Sequence, residues 1–189
     1  MCASVAATRR YIAFLRGINV GGHTVKMADL RALFESYGFA NVETFIASGN
    51  VIFEAPEADA RDLATQIEGL LKQSLGYEAA TTVRSAAELA AIAAYRPFPE
   101  ADLAAEGATL YVAFLPAAPS DGAREKVLAL RTPLDDLHVH DREIYWLCRT
   151  RMSESPLFAG PVLDRAVGMP VTARNINTVR KLAAKYPPL

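Results

Sequence analysis

The sequence predicts an α+β fold of two successive β-α-β-β-α-β lobes with an added C-terminal helix, and three observations carry that expectation. Short apolar, β-prone runs recur along the 189 residues. Between them lie longer stretches whose apolar residues fall at helical spacing. The order of the two kinds then starts again after a proline-bearing segment near the middle of the chain.

Tyr11 to Leu15 is apolar and aromatic and is stopped by Arg16-Gly17, as expected of a buried strand. After a loop holding Gly17, Gly21 and Gly22, the residues Met27, Leu30, Leu33, Phe34 and Tyr37 form the stripe of an amphipathic helix, which Gly38 ends as a left-handed cap. Val42 to Ala47 and Asn50 to Ala55 flank Ser48-Gly49, a pair suited to a tight hairpin. Leu63, Ile67, Leu70, Leu71 and Leu75 give a second helical stripe closed by Gly76, and Ala79 to Arg84 reads as a strand. Residues 1–84 are thus expected to form the first lobe.

Residues 85–108 are read as a connection. Ser85 and Glu88 have the spacing of a capping box at the head of an alanine-rich helix reaching Tyr95. Arg96 to Glu106, with Pro97 and Pro99, is expected to sustain neither a helix nor a central strand. The second lobe, with the C-terminal helix, is assigned to residues 109–189. Thr109 to Leu115 is a strand, Ser120 caps a helix to about Leu130, and Leu137 to Val139 pairs with Glu143 to Cys148. Gly160-Pro161 opens a short helix through Val167 that Gly168 closes, and Met169 to Thr172 is the last expected strand. Ile176, Val179, Leu182, Ala183 and Tyr186 form the final helical stripe, stopped by Pro187-Pro188. The two halves repeat an element order with no residue-level identity evident between them.

Composition narrows the partners. With 51% hydrophobic and 22% charged residues the chain has the make-up of a globular protein. Twenty basic against twenty-one acidic residues leave a net charge of -1, so no global field draws it to nucleic acid or an anionic membrane. No apolar run approaches the ~20 residues of a spanning helix, and the stretch ahead of Arg9-Arg10 is too short for a signal-peptide core. Cys2 and Cys148 form neither a disulfide framework nor a zinc pattern, which fits a reducing, cytoplasmic location. No motif calls for a cofactor.

In a ferredoxin-like β-α-β-β-α-β unit, the loop after the first strand and the hairpin share one edge of the sheet. Arg16, Asn19, Gly21, Gly22 and His23 are therefore expected beside Ser48, Gly49 and Asn50. A glycine loop ahead of a helix can turn several N–H groups to one point, where an anion is favoured, although the same glycines serve equally to make a tight loop. Gly17 to Thr24 also fits the frame of a phosphate-binding loop, but His23 stands where lysine is required and a hairpin follows the helix, so nucleotide hydrolysis is not expected.

Other features weigh less. His138 and His140 are expected on one strand face, where two metal ligands lack a third, so a solvated face is the simpler reading. No Gly-x-Ser-x-Gly elbow is present, and Cys148 lies in an apolar strand where an inert thiol is expected. Arg174, Arg180, Lys181 and Lys185 make the C-terminal region basic, either as a phosphate-contacting face or as cations at the favourable end of a helix dipole.

The run Tyr11-Ile-Ala-Phe-Leu-Arg-Gly-Ile-Asn-Val-Gly-Gly22, with Val25-Lys-Met27, Ser48-Gly-Asn50, Thr172-Ala-Arg-Asn175 and Thr178, resembles the bacterial family called domain of unknown function 1697. The resemblance implies a two-lobed α+β fold of ferredoxin-like character and no established activity. Its matching polar residues are Arg16, Asn19, Lys26, Ser48, Asn50, Arg174 and Asn175. Arg149 to Gly160 departs from the Gly-rich, Ser-Lys-Leu-like stretch of many members.

The leading functional expectation is binding of an anionic or phosphorylated small molecule or nucleotide, with Arg16 as a bidentate charge and Asn19, Ser48 and Asn50 orienting it. The alternatives are an RNA-binding module that stacks bases on Tyr11, Phe14 and Phe53, and an enzyme of unrecognised type using Arg174 or His23.

Overall fold

The structure is a computed structural model that describes residues 7–19 and 24–189. Gly21, Gly22 and His23, and with them part of the expected phosphate-loop frame, lie outside the described residues, as does Cys2. The chain divides into two compact units, one running to Ile92 and including Lys181–Leu189, the other comprising Ala93–Arg180.

The first unit contains β1 (Thr8–Leu15), α1 (Met27–Ser36), β2 (Ala40–Phe45), β3 (Asn50–Pro56), α2 (Ala60–Leu75) and β4 (Thr81–Ser85), followed by α3 (Ala86–Ala94), which runs on into the second. Its sheet has the order β2-β3-β1-β4, every pairing antiparallel. Alternation along β1 sends Tyr11, Ala13 and Leu15 into a core with Leu30 and Phe34 of α1 and Leu63, Ile67 and Leu71 of α2. Ile12 and Phe14, on the opposite face, are also buried, so β1 reads as a continuous apolar run. Asp59 caps α2 by accepting from the backbone N–H groups of Arg61 and Asp62, and Gly76 closes it at φ 79°. The capping box at Ser85 is formed: Glu88 Oε2 accepts from the Ser85 amide and hydroxyl, each at 2.8 Å, and the Glu88 amide donates to Ser85 Oγ at 3.2 Å.

The second unit contains α4 (Glu100–Leu103), β5 (Thr109–Phe114), α5 (Asp121–Leu128), β6 (Asp135–His140), β7 (Glu143–Cys148), α6 (Val162–Val167) and β8 (Thr172–Asn175), from which α7 (Ile176–Lys185) departs. Its sheet order, β6-β7-β5-β8, reproduces that of the first, again antiparallel throughout. The fold is therefore α+β, with two four-stranded antiparallel sheets among the described residues.

Three expectations are corrected. A single helical turn, α4, forms within the stretch read as unable to hold a helix, because Pro99 stands ahead of its first residue, where proline is tolerated. The last strand lies at Thr172–Asn175 rather than Met169 to Thr172, because the ladder to β5 pairs Phe114 with Thr172 and Tyr111 with Asn175. The halves also do share residues. Aligning the two ladders sets Tyr11-Ile-Ala-Phe-Leu15 on Tyr111-Val-Ala-Phe-Leu115, and Arg84, opposite Ile12, on Arg174, opposite Val112.

A buried carboxylate organises one end of the second sheet. Asp135, at the head of β6, accepts from Trp146 Nε1 at 2.7 Å and Ser155 Oγ at 2.8 Å on one oxygen, and from Thr132 Oγ1 at 3.2 Å on the other. Ser155 sits between two short 3₁₀ turns, Met152–Glu154 and Pro156–Phe158, and also accepts from the Leu157 amide. The segment 149–160 is thus pinned to the sheet, with Leu157 in the core.

The end of the chain belongs to the first unit. Tyr186 is buried and donates its hydroxyl to Glu43 Oε2 at 2.6 Å, Lys185 Nζ lies 3.3 Å from the same oxygen, and Arg10 Nη1 donates to the Pro187 carbonyl at 2.8 Å. The cations read as one basic face differ in their setting. Arg174 is on β8, Lys185 is paired, and Arg180 lines a cavity in the second unit.

Candidate functional site

Arg16 and Asn19, two of the residues singled out in the sequence, follow directly on the end of β1. Leu15 donates its amide to the Gly49 carbonyl at 2.8 Å, and Arg16 donates its amide to the Ala80 carbonyl at 2.9 Å. Asn19 then joins the two stretches: its Nδ2 donates to the Ala47 carbonyl at 3.2 Å, while its Oδ1 accepts from the Val25 amide at 2.7 Å. One side chain thus links Val25, just ahead of α1, to the turn between β2 and β3. Tyr77 Oη adds a bond to the Ile18 carbonyl at 3.1 Å.

The hairpin is a four-residue turn, wider than the two-residue form expected, with Ile46 at φ 52° and Gly49 at φ 74°. Asn50, the fully buried first residue of β3, closes it by donating Nδ2 to the Phe45 carbonyl at 3.0 Å and to Ser48 Oγ at 2.8 Å. Gly49 has two reasons to be glycine. Its φ is positive, and a Cβ there would lie 2.8 Å from Ile18 Cγ2 and 3.1 Å from Leu15 Cβ. Gly49→Ala is expected to cost roughly 2 kcal/mol, read as a lowered urea midpoint, because neither strain nor crowding relaxes without moving β1 or the loop.

The loop and the hairpin therefore share one rim, and the residues divide by task. Asn19 and Asn50 hold the two turns. Arg16 is half-buried, and Ser48 and Lys26 are exposed, Lys26 standing immediately before α1. Arg174 and Asn175 lie on β8 of the second unit. Burial pulls the Arg174 guanidinium down to about 10, still cationic at neutral pH, and its Nη1 donates to the Ala173 carbonyl at 2.9 Å. Arg84, buried in the first unit, makes the same bond to Val83 at 2.9 Å. Sequence reading missed Arg84, and the repeat of β1 in β5 was the signal that would have paired it with Arg174.

Three other readings meet the structure directly. Tyr11, Phe14 and Phe53 are all buried, so none of these rings is presented to a base. His138 and His140 do share a face, with ring centroids 6.5 Å apart, but they belong to an aromatic cluster: Tyr95 Oη lies 2.9 Å from His138 Nε2 and its ring stacks on His140 at 4.2 Å. Desolvation, and then the charge of His140, hold the His138 pKa below the usual imidazole value. Among the described residues no group of three His, Cys, Asp or Glu could hold a metal ion. Burial pushes the Cys148 thiol up, which keeps it protonated at neutral pH.

A family model described as "Protein of unknown function (DUF1697)" matches residues 8–145, most of the chain. The chain belongs to the DUF1697 family. No curated protein matches this DUF1697 chain. Among solved structures it is similar to a conserved bacterial protein, SP0830, from Streptococcus pneumoniae, with 22% identity, a TM-score of 0.69, and coverage of 94% of this chain and 98% of that one. At that identity the likeness speaks to the fold alone. No helix among the described residues is long and apolar enough to cross a membrane.

Proposed function

We propose that this DUF1697 protein binds an anionic small molecule, phosphorylated or a nucleotide, at the rim where the loop after β1 meets the β2–β3 turn. The observation that carries the reading is the Asn19 bridge to Ala47, which gives a half-buried arginine, an exposed serine hydroxyl and a glycine-bearing loop a common, braced edge. Arg16 supplies the bidentate charge and Ser48 a hydroxyl, while Asn19 and Asn50 position the two turns. In this reading each half is a ferredoxin-like unit, supported by the strand order repeated in both sheets, and the protein works in the cytosol, supported by the free, buried thiol of Cys148.

The test is thermal stabilisation by inorganic phosphate, a nucleoside monophosphate and a nucleoside triphosphate, each with parent and Arg16→Ala protein of matching circular dichroism. At least one probe should raise the parent melting temperature and lose that effect in Arg16→Ala. An undiminished shift in the variant, or no shift in the parent with any of the three, rejects the reading.

A further inference from the structure

A second concavity, of about 310 Å³, lies within the second unit and is lined by Arg96, Glu100, Leu103, Asn175, Asn177 and Arg180, with Ala108 to Leu110 and Ile176 completing it. Leu110 and Ile176 are buried and give it an apolar base. Its charges are unusual in being uncommitted. Among the described residues the side chains of Arg180 and Glu100 make no hydrogen bond or ion pair. Arg96 is tethered through Nη1 alone, to the Ala94 carbonyl at 2.9 Å and the Tyr95 carbonyl at 3.3 Å, so the edge formed by its Nε and Nη2 is held in place and unused. Asn175 Oδ1 accepts from the Asn177 amide at 2.8 Å, leaving its Nδ2 hydrogens to donate.

Two guanidinium groups and an unused amide suit a carboxylate, which arginine grips bidentately. The lone carboxylate of Glu100 in the same wall argues against a plain anion such as phosphate, since like charges facing across a small cavity are disfavoured. It suits instead a ligand that carries its own ammonium. The geometry points to a site for a small zwitterion of the α-amino acid class, its carboxylate on Arg96 and Arg180, its ammonium on Glu100, and its side chain against Leu103, Ala108 and Ile176. The site is separate from the rim of the first unit and does not depend on that reading.

Titration of the full-length, isotopically labelled protein with glycine, L-serine and L-leucine in turn, beside propanoate and inorganic phosphate, tests it through the amide signals of residues 103–110 and 175–180. At least one amino acid should bind saturably. Arg180→Ala should weaken it roughly tenfold to a hundredfold, the usual effect of losing charge-assisted hydrogen bonds. Glu100→Gln should weaken the amino acid while leaving propanoate as tight or tighter, a split that damage to the fold would not produce. All three substituted or probed charges are exposed, and Arg180→Lys serves as a second, milder variant. Failure of all three amino acids to saturate those signals overturns the proposal. So does phosphate binding the parent more tightly than every amino acid at the same signals, or amino-acid binding indifferent to Glu100→Gln. Arg16→Ala should leave every one of these titrations unaltered.

Discussion

Asp135→Ala is expected to lower the stability of the second unit by roughly 3 kcal/mol or more. The substitution leaves the Trp146 indole N–H and the Ser155 hydroxyl, both buried, without their acceptor, and each stranded donor costs about 1 to 3 kcal/mol. The segment around Ser155, which carries Leu157 into the core, loses its anchor to the sheet. Trp146 is the one tryptophan of the chain, so its fluorescence reports this event without interference. A red-shifted emission and a urea midpoint well below that of the parent are the expected results. An unchanged midpoint would mean that the carboxylate is not what holds the segment. Asp135→Asn keeps an acceptor oxygen and should fall between the two.

Deleting residues 181–189 is expected to damage the opposite unit from the one that precedes them in sequence. Leu182 and Tyr186 are buried there, and fully burying a large apolar side chain is worth about 1.5 to 3 kcal/mol, so the deletion should cost the first unit roughly 3 kcal/mol at least. Faster amide exchange in β1 and β3, with the Trp146 signal little changed, is the expected pattern. Tyr186→Phe gives the milder form. The hydroxyl of Tyr186 first, and then Lys185, hold the Glu43 carboxyl below its ordinary value. A carboxylate depressed in the folded state contributes stability above its unfolded pKa and loses it as pH falls through the folded one. Glu43 is more than half exposed, so the contribution is at most about 1 kcal/mol. The difference between parent and Tyr186→Phe should therefore be present at neutral pH and shrink as acid protonates Glu43.

Much of the element order was legible because apolar periodicity and helix-end chemistry act locally. Glu143–Cys148 is recovered residue for residue, and Gly76 and Gly168 end their helices as expected, both in the left-handed conformation. The common rim was legible for a topological reason, since the loop after the first strand and the following hairpin must emerge on one side. What escaped depends on long-range partners. Nothing near Asp135 in sequence announces that it will face an indole 11 residues further along the chain, although a single tryptophan in an apolar strand does demand an acceptor somewhere. The rings of Tyr11, Phe14 and Phe53 could be assigned to a strand but not to a side, and both sides of β1 are buried. The turn at Ile46 is set by Asn50 and Gly49 rather than by its own preference, which runs against a positive φ.

The placement of Lys181–Leu189 also fixes an order of events during synthesis. A half that emerges first from the ribosome ordinarily matures first. Here the earlier half lacks Leu182, Tyr186 and the Pro187 carbonyl until every residue of Ala93–Arg180 has been translated, so its apolar surface waits, incomplete, while the later half already has all of its own chain.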